Sequence, residues 1–308
     1  MMKSIYISSC VPDGGVWRCG FDGETLTKRD FSPAGRVMYT AREGDTIYAV
    51  SLEPDSLNSF VVQAKLTDGR PGTFGGRIRT GRESCFIDVR DGDFYTADYS
   101  SAGVTKNGAR TVTHTGCGSD PSRQEAPHPH QALLSPDGRY VLVCDLGLDR
   151  VFVYDRELTL VSQADAPKGQ GIRHLVFAPD GKQVYAVNEL GCSVTEFRWS
   201  DGELTALRTT PFPCAGKSYA GAVRLSENGD LLFISLRGDD TIAVYAREEK
   251  GLRLLRSFPC GGCWPRDFAV CGDRLLVANE RSGNVCTMDF YGEIKSEISV
   301  PAPLCVMV

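Results

Sequence analysis

Two of the chain's four histidines stand in one tripeptide, His128-Pro129-His130. An imidazole titrates near neutral pH, so either ring could move a proton in a reaction at physiological pH. Farther along the chain come Arg173-His174, Asn188-Glu189, Leu236-Arg237, Arg266 and Asn279-Glu280. A planar guanidinium is the side chain best shaped for a carboxylate or a phosphate, which makes Arg173 and Arg237 candidate anion anchors. Glu189 is placed to orient an imidazole or an attacking water. Asp145, Asn188, Arg266 and Asn279 are further candidates for substrate contact. No cluster of Asp, Glu and Asn supplies the six or more oxygens that calcium prefers, and the lone CxxC, Cys260 to Cys263, has no second pair to complete a tetrahedral metal site.

These residues need a scaffold that brings distant positions together, and the sequence shows one. Turn glycines at Gly92, Gly138, Gly181, Gly229 and Gly272 are 46, 43, 48 and 43 residues apart, and Gly44 lies 48 before the first. That is the period of four-stranded propeller blades. Each unit reads as an apolar strand, a turn such as Ser135-Pro136-Asp137-Gly138 or Ser226-Glu227-Asn228-Gly229, and a second apolar strand. A third strand follows with alternation of period two, as in Arg150-Val151-Phe152-Val153-Tyr154. No segment reads as an amphipathic helix. The N-terminal unit starts at what looks like a second strand, Ser4-Ile5-Tyr6-Ile7-Ser8, and the chain ends on an unmatched first strand, Pro303 to Val308. The termini are expected to complete one blade. The expected fold is all-β: a single domain over 1–308, a seven-bladed propeller of four-stranded antiparallel blades of about 44 residues, with the first blade closed by N- and C-terminal strands.

First strands line a propeller's channel, so their starts, together with the ends of second strands, converge on one mouth. Those two columns hold His128, His130, Arg173, Arg266, Asp145, Asn188, Glu189, Arg237, Asn279 and Glu280, more polarity than packing requires. By strand alternation, His174 is expected to face the blade interior when Arg173 faces the channel. The turn residues Asp137 and Asp180 are architecture.

Composition sets outer limits. Hydrophobic residues are 42% and charged residues 24% of the chain, normal for a globular protein with a large core. A net charge of -5 gives no electrostatic reason to expect nucleic acid, and no run is apolar enough to suggest a membrane span or signal peptide. The expectation is a cytoplasmic protein, monomeric or weakly homodimeric. Most of the twelve cysteines fall in apolar strands, Cys144, Cys286 and Cys305 among them, and read as buried free thiols.

The runs HPHQALLSPDGRYVLVCDLGLDRVFVYD, GIRHLVFAPDGKQVYAVNELGCSVTEF and LLFISLRGDDTIAVY resemble the seven-bladed lactonase family, which includes the propeller-type 6-phosphogluconolactonases. More distantly, the chain is similar to fungal 3-carboxy-cis,cis-muconate lactonizing enzyme. The resemblance is strongest from Ala126 to Asn284 and rests on period before Ser84. It implies a cofactor-free enzyme acting on a lactone ring at one mouth, with its polar site on His128 or His130, Arg173, Glu189 and Arg237. The chain departs from the family at Ala222, where a Glu is common, and at Leu236-Arg237-Gly238, where Asn-Arg-Gly is frequent. The expected substrate is a small anionic lactone or sugar phosphate, foremost 6-phosphogluconolactone. A muconate-type cycloisomerase and a non-catalytic binding propeller are the alternatives.

Overall fold

The hairpin turns show why the repeat takes this shape. At Gly138 the backbone adopts φ +71°, and at Gly181 +66°, a left-handed conformation that a Cβ would strain. Around the first of these, the Asp137 carboxylate accepts hydrogen bonds from Ser135 Oγ (2.6 Å) and from the Arg139 amide (3.1 Å). The turn is thus closed by its own side chains, and each such turn folds one apolar strand back onto the next.

A computed structural model describes residues 2–214 and 216–308. Seven antiparallel sheets follow one another around a central channel. Their inner and second strands are Pro303–Met307 with Lys3–Ser9 in blade 1, Arg36–Glu43 with Thr46–Leu52 in blade 2, and Ser84–Arg90 with Asp93–Asp98 in blade 3. The others are Pro129–Leu134 with Tyr140–Asp145 (blade 4), Ile172–Phe177 with Gln183–Asn188 (blade 5), Tyr219–Leu225 with Leu231–Arg237 (blade 6), and Pro265–Cys271 with Arg274–Asn279 (blade 7). Blade 1 is closed by the C-terminal strand, which pairs Val306 with Ile7 and Pro303 with Ser9. Six sheets have four strands; blade 2 has a fifth, the short Arg70–Pro71 pairing beside its outer strand.

The core lies between blades. Leu142, Val151 and Val153 of blade 4 pack against Ile172, Ala186 and Phe197 of blade 5, and the same arrangement joins blade 7 to blade 1 through Leu276, Ala278, Ile5 and Val306. Inner strands diverge too far to share backbone ladders, so side chains bridge them. Asp88 accepts from the Leu134 amide (2.9 Å), Gln131 from the Leu175 amide (2.6 Å), and Asp267 from the Val306 amide (3.2 Å). The last of these fastens the C-terminal strand to blade 7.

One irregularity recurs in every blade. The pairing of inner with second strand breaks at Met38, Cys85, His130, Arg173, Gly221-Ala222, Arg266 and Leu304-Cys305. Each break is a β-bulge, one extra residue against the partner strand, which bends the strand and re-aims a side chain. Seven bulges at the same height form a ring of residues at one mouth. Directly above it the second strands end in a ring of Leu52, Tyr99, Leu146, Glu189, Arg237, Glu280 and Cys10.

Candidate active site

The bulge ring and the strand-end ring enclose a cavity of about 200 Å³ lined by Met38, Glu83, Cys85, Tyr99, Arg123, His130, Glu189, Arg237 and Arg266. His130 reaches it because the register skips from Pro129 opposite Asp145 to Gln131 opposite Cys144. Arg173 stands at the equivalent place one blade on, between Ile172 opposite Asn188 and His174 opposite Val187. Below, the rings of Tyr39, Phe86 and His174 close the channel: Tyr39 and Phe86 lie 4.3 Å apart, and His174 is 5.5 Å from Phe86 and 5.2 Å from His130.

His174 therefore faces the channel axis and not the blade interior expected from alternation. The bulge at Arg173 is the reason, since an extra residue breaks the two-residue period just where the reading relied on it.

Glu189 is the electrostatic centre. Its Oε1 accepts from Arg123 Nη2 at 2.6 Å, and its Oε2 lies 2.7 Å from Arg237 Nη2 and 3.1 Å from Arg173 Nε. The Arg173 contact is misaligned, and neither Arg173 Nε nor Arg237 Nε has a hydrogen-bond partner among the described residues. The two arginines are instead pinned by carbonyls, Arg173 Nη1 to Gly221 (2.8 Å) and Arg237 Nη2 to Ala220 (2.9 Å). Burial alone would raise the Glu189 carboxyl, but the charges of Arg237, Arg173 and Arg123 hold it well below the usual carboxylate range. It is held as an anion, with both oxygens against guanidiniums.

His130 is the opposite case. It is buried, with its Nδ1 unpartnered among the described residues. Burial, reinforced by the Arg173 charge, drives its pKa well below 6.5 and keeps the ring neutral. His174 is held neutral by the same two causes. Cys85, also in the bulge ring, is pushed up to about 12 by burial, so it stays a thiol.

Of the residues expected from sequence, His130, Glu189, Arg237 and Arg266 line the cavity, and Arg173 lies against Glu189. Arg266 keeps a looser partner, Glu280 at 3.5 Å. His128 is stacked on Tyr99 (4.3 Å), with its nitrogens 3.2 Å from the Tyr99 carbonyl and 3.2 Å from Glu125 Oε1. Asp145, Asn188 and Asn279 precede the strand-end ring by one residue and point into their blades. Asp145 binds His114 Nδ1 (2.5 Å) and the His128 amide (2.8 Å). Asn188 donates to Ser193 Oγ (2.7 Å), and Asn279 to the Cys260 carbonyl (3.2 Å).

Five lining residues escaped the sequence reading: Met38, Glu83, Cys85, Tyr99 and Arg123. Tyr99 occupies the strand-end column of blade 3, and extending that column one blade toward the N-terminus would have found it. Arg123 comes from the connection between blades 3 and 4, where no repeat gives a column. Its neighbour Gln124 is fully buried and anchors the loop, donating to the Leu146 carbonyl and to Asp149 Oδ1, each at 2.8 Å. The cysteines are free, and the described residues hold no cluster of His, Cys, Asp and Glu suited to a metal. No helix is long and apolar enough to cross a membrane.

The seven-bladed ring defines a β-propeller with a guanidinium-rich cleft at one mouth. Residues 21–308 match the family Lactonase, 7-bladed beta-propeller, and the chain belongs to that family. An uncharacterized protein of Staphylococcus aureus is 35% identical over 176 residues, 54% of this chain and 52% of its own length. The chain thus spans about half the length of the curated relatives it matches first. Among solved structures, the periplasmic gluconolactonase PpgL of Pseudomonas aeruginosa is 25% identical with a TM-score of 0.90, covering 100% of this chain and 99% of that one. A Bacteroides fragilis protein provisionally named a 6-phosphogluconolactonase shares the fold, at 23% identity and TM-score 0.89, over 99% of this chain and 97% of its own.

Proposed function

We propose that this protein hydrolyses a small sugar-type lactone, foremost 6-phosphogluconolactone, at the mouth formed by the two rings. The observation that carries the reading is His130: a buried imidazole, held neutral, that lines a cavity walled by guanidiniums. A neutral imidazole accepts a proton; a charged one does not. His130 takes a proton from water as the water oxygen bonds to the lactone carbonyl carbon. Negative charge develops on the carbonyl oxygen, where Arg237 and Arg266 stabilise it in a cleft sealed from below. The ring C–O bond then breaks, the imidazolium returns its proton to the departing alkoxide, and the product is a hydroxy acid. Glu189, with both oxygens on arginines, holds the cations in place and leaves the proton to His130.

The test is hydrolysis of 6-phosphogluconolactone followed with a pH indicator against a buffer control, because the substrate opens spontaneously. The His130→Asn variant should lose about 100-fold or more in kcat, the scale of one general base. Wild-type rates equal to the control on this substrate, gluconolactone and muconolactones would overturn the reading in favour of a binding role.

A further inference from the structure

At the rim of the same mouth, Trp264 holds a conformation that its side chain disfavours. It adopts φ +66°, a left-handed backbone that strains a bulky residue. Its surroundings fix it there: the amide donates to Asp240 Oδ1 (2.7 Å) and the carbonyl accepts from the Glu280 amide (3.0 Å). The strain places a half-buried indole at the lip, directly before Pro265 and the cavity residue Arg266.

Two guanidiniums share that indole. Arg237, whose other side enters the cavity, lies 5.6 Å from the ring centre, and Arg281 lies over it at 3.3 Å. On the neighbouring blade Tyr219 sits 6.2 Å from Trp264 and carries Arg123 at 5.6 Å. An aromatic lip thus supports cations from the cavity outward. Their ion pairing differs. Arg123, Arg173 and Arg237 share Glu189, and Arg266 has Glu280. Arg281 is exposed and makes no ion pair among the described residues. A guanidinium laid on an indole keeps its N–H edge free for an oxyanion.

We infer that Arg281, held flat on Trp264, is an outer anion subsite that receives a phosphate carried on the end of the substrate remote from its ester. The inference rests on the lactone reading for the orientation of that substrate: the ester lies against His130, and the chain leaves past Arg237 and Trp264. Arg281 then sets the preference between a phosphorylated lactone and its unphosphorylated counterpart, while the inner arginines act on both.

The experiment compares wild type, Arg281→Ala and Arg281→Lys. Binding of 6-phosphogluconate and of gluconate is followed by tryptophan fluorescence, with Trp264→Phe identifying the signal, and kcat/KM is measured on both lactones. Loss of one charge-assisted contact predicts a roughly tenfold weaker 6-phosphogluconate affinity in Arg281→Ala, with gluconate unchanged. The same tenfold should appear in KM for the phosphorylated lactone alone, and Arg281→Lys should recover only part of it. Equal effects on both ligands, no effect on either, or a wild type that binds neither would overturn the subsite. A wild type without turnover that still binds 6-phosphogluconate through Arg281 would refute the lactone reading and leave the subsite standing.

Discussion

Replacing Glu189 by Gln should cost more stability than any other single isosteric change at the mouth. Glu189 is 3% exposed, Arg173 2% and Arg237 4%, so the carboxylate neutralises two guanidiniums that are almost wholly buried. A third, Arg123, is about one-third exposed and can turn to solvent. Breaking a buried pair by removing one partner costs about 3–5 kcal/mol, because the surviving charge stays buried. Gln keeps one carbonyl acceptor and the same volume, so packing loss adds little and the lower half of that range applies. At about 2 °C of Tm per kcal/mol for a chain this large, the variant should melt about 6–8 °C below wild type. Thermal unfolding followed by circular dichroism at pH 7 measures it. Two controls make the cause specific: adding Arg237→Met to the variant should recover part of the loss, since one fewer charge is stranded, and phosphate should raise the variant's Tm more than the wild type's. A Tm within 2 °C of wild type, or a double variant with merely summed losses, would refute the idea that Glu189 balances a buried cationic cluster.

The neutrality of His130 predicts a pH profile. Its folded pKa lies well below 6.5, so the fraction of active base should stay constant from pH 8 through 6.5 and fall only in more acidic buffer. Substituting Arg173 by Met removes a cation that pushes this pKa down, so the acid limb of kcat/KM should move up toward 6.5; a limb at 6.5 in wild type would contradict the assignment. Deleting Pro303–Val308 removes the inner strand of blade 1 and strands the Asp267 carboxylate that accepts the Val306 amide. Because the two ends then close nothing, the truncated chain should unfold at least 10 °C lower or fail to fold, and an unchanged melting temperature would show that the ring does not depend on closure.

What was legible in the sequence was whatever the backbone must repeat. Every blade needs a tight turn, and the turns at Gly138 and Gly181 need left-handed glycines, so the period and the count of seven could be read directly. The columns built on that period brought His130, Arg173, Glu189, Arg237 and Arg266 to one mouth. What stayed hidden was register. A bulge adds one residue without any required residue type: the bulged positions are Met38, Cys85, His130 and Arg173 in successive blades, which have nothing in common to recognise. Strand pattern alone therefore groups Asp145, Asn188 and Asn279 with the mouth although each lies one residue short of it, and points His174 to the wrong side. Arg123 stands in a connection that belongs to no blade, held by Gln124, and periodicity carries no information there.

The bulges also explain how a ring with seven similar parts makes a one-sided site. Without them, inner-strand residues would alternate between channel and blade, and a polar side chain at the mouth would be followed by another aimed into the apolar core. With them, each blade offers one re-aimed position that its core does not constrain. On blades 1 and 2 that freedom holds Leu304-Cys305 and Met38; on blades 4, 5 and 7 it holds His130, Arg173 and Arg266. Concentrating cations on one arc lowers the His130 pKa, yet the same cations would repel one another without an anion. Glu189 supplies it from the strand-end ring of blade 5, close enough to bind Arg173, Arg237 and Arg123 but with no hydrogen bond to His130 among the described residues. A carboxylate bonded to His130 would raise the imidazole's pKa and favour its charged form. Separating the anion that balances charge from the base that takes the proton lets one mouth hold its arginines ionised and its histidine neutral at the same pH.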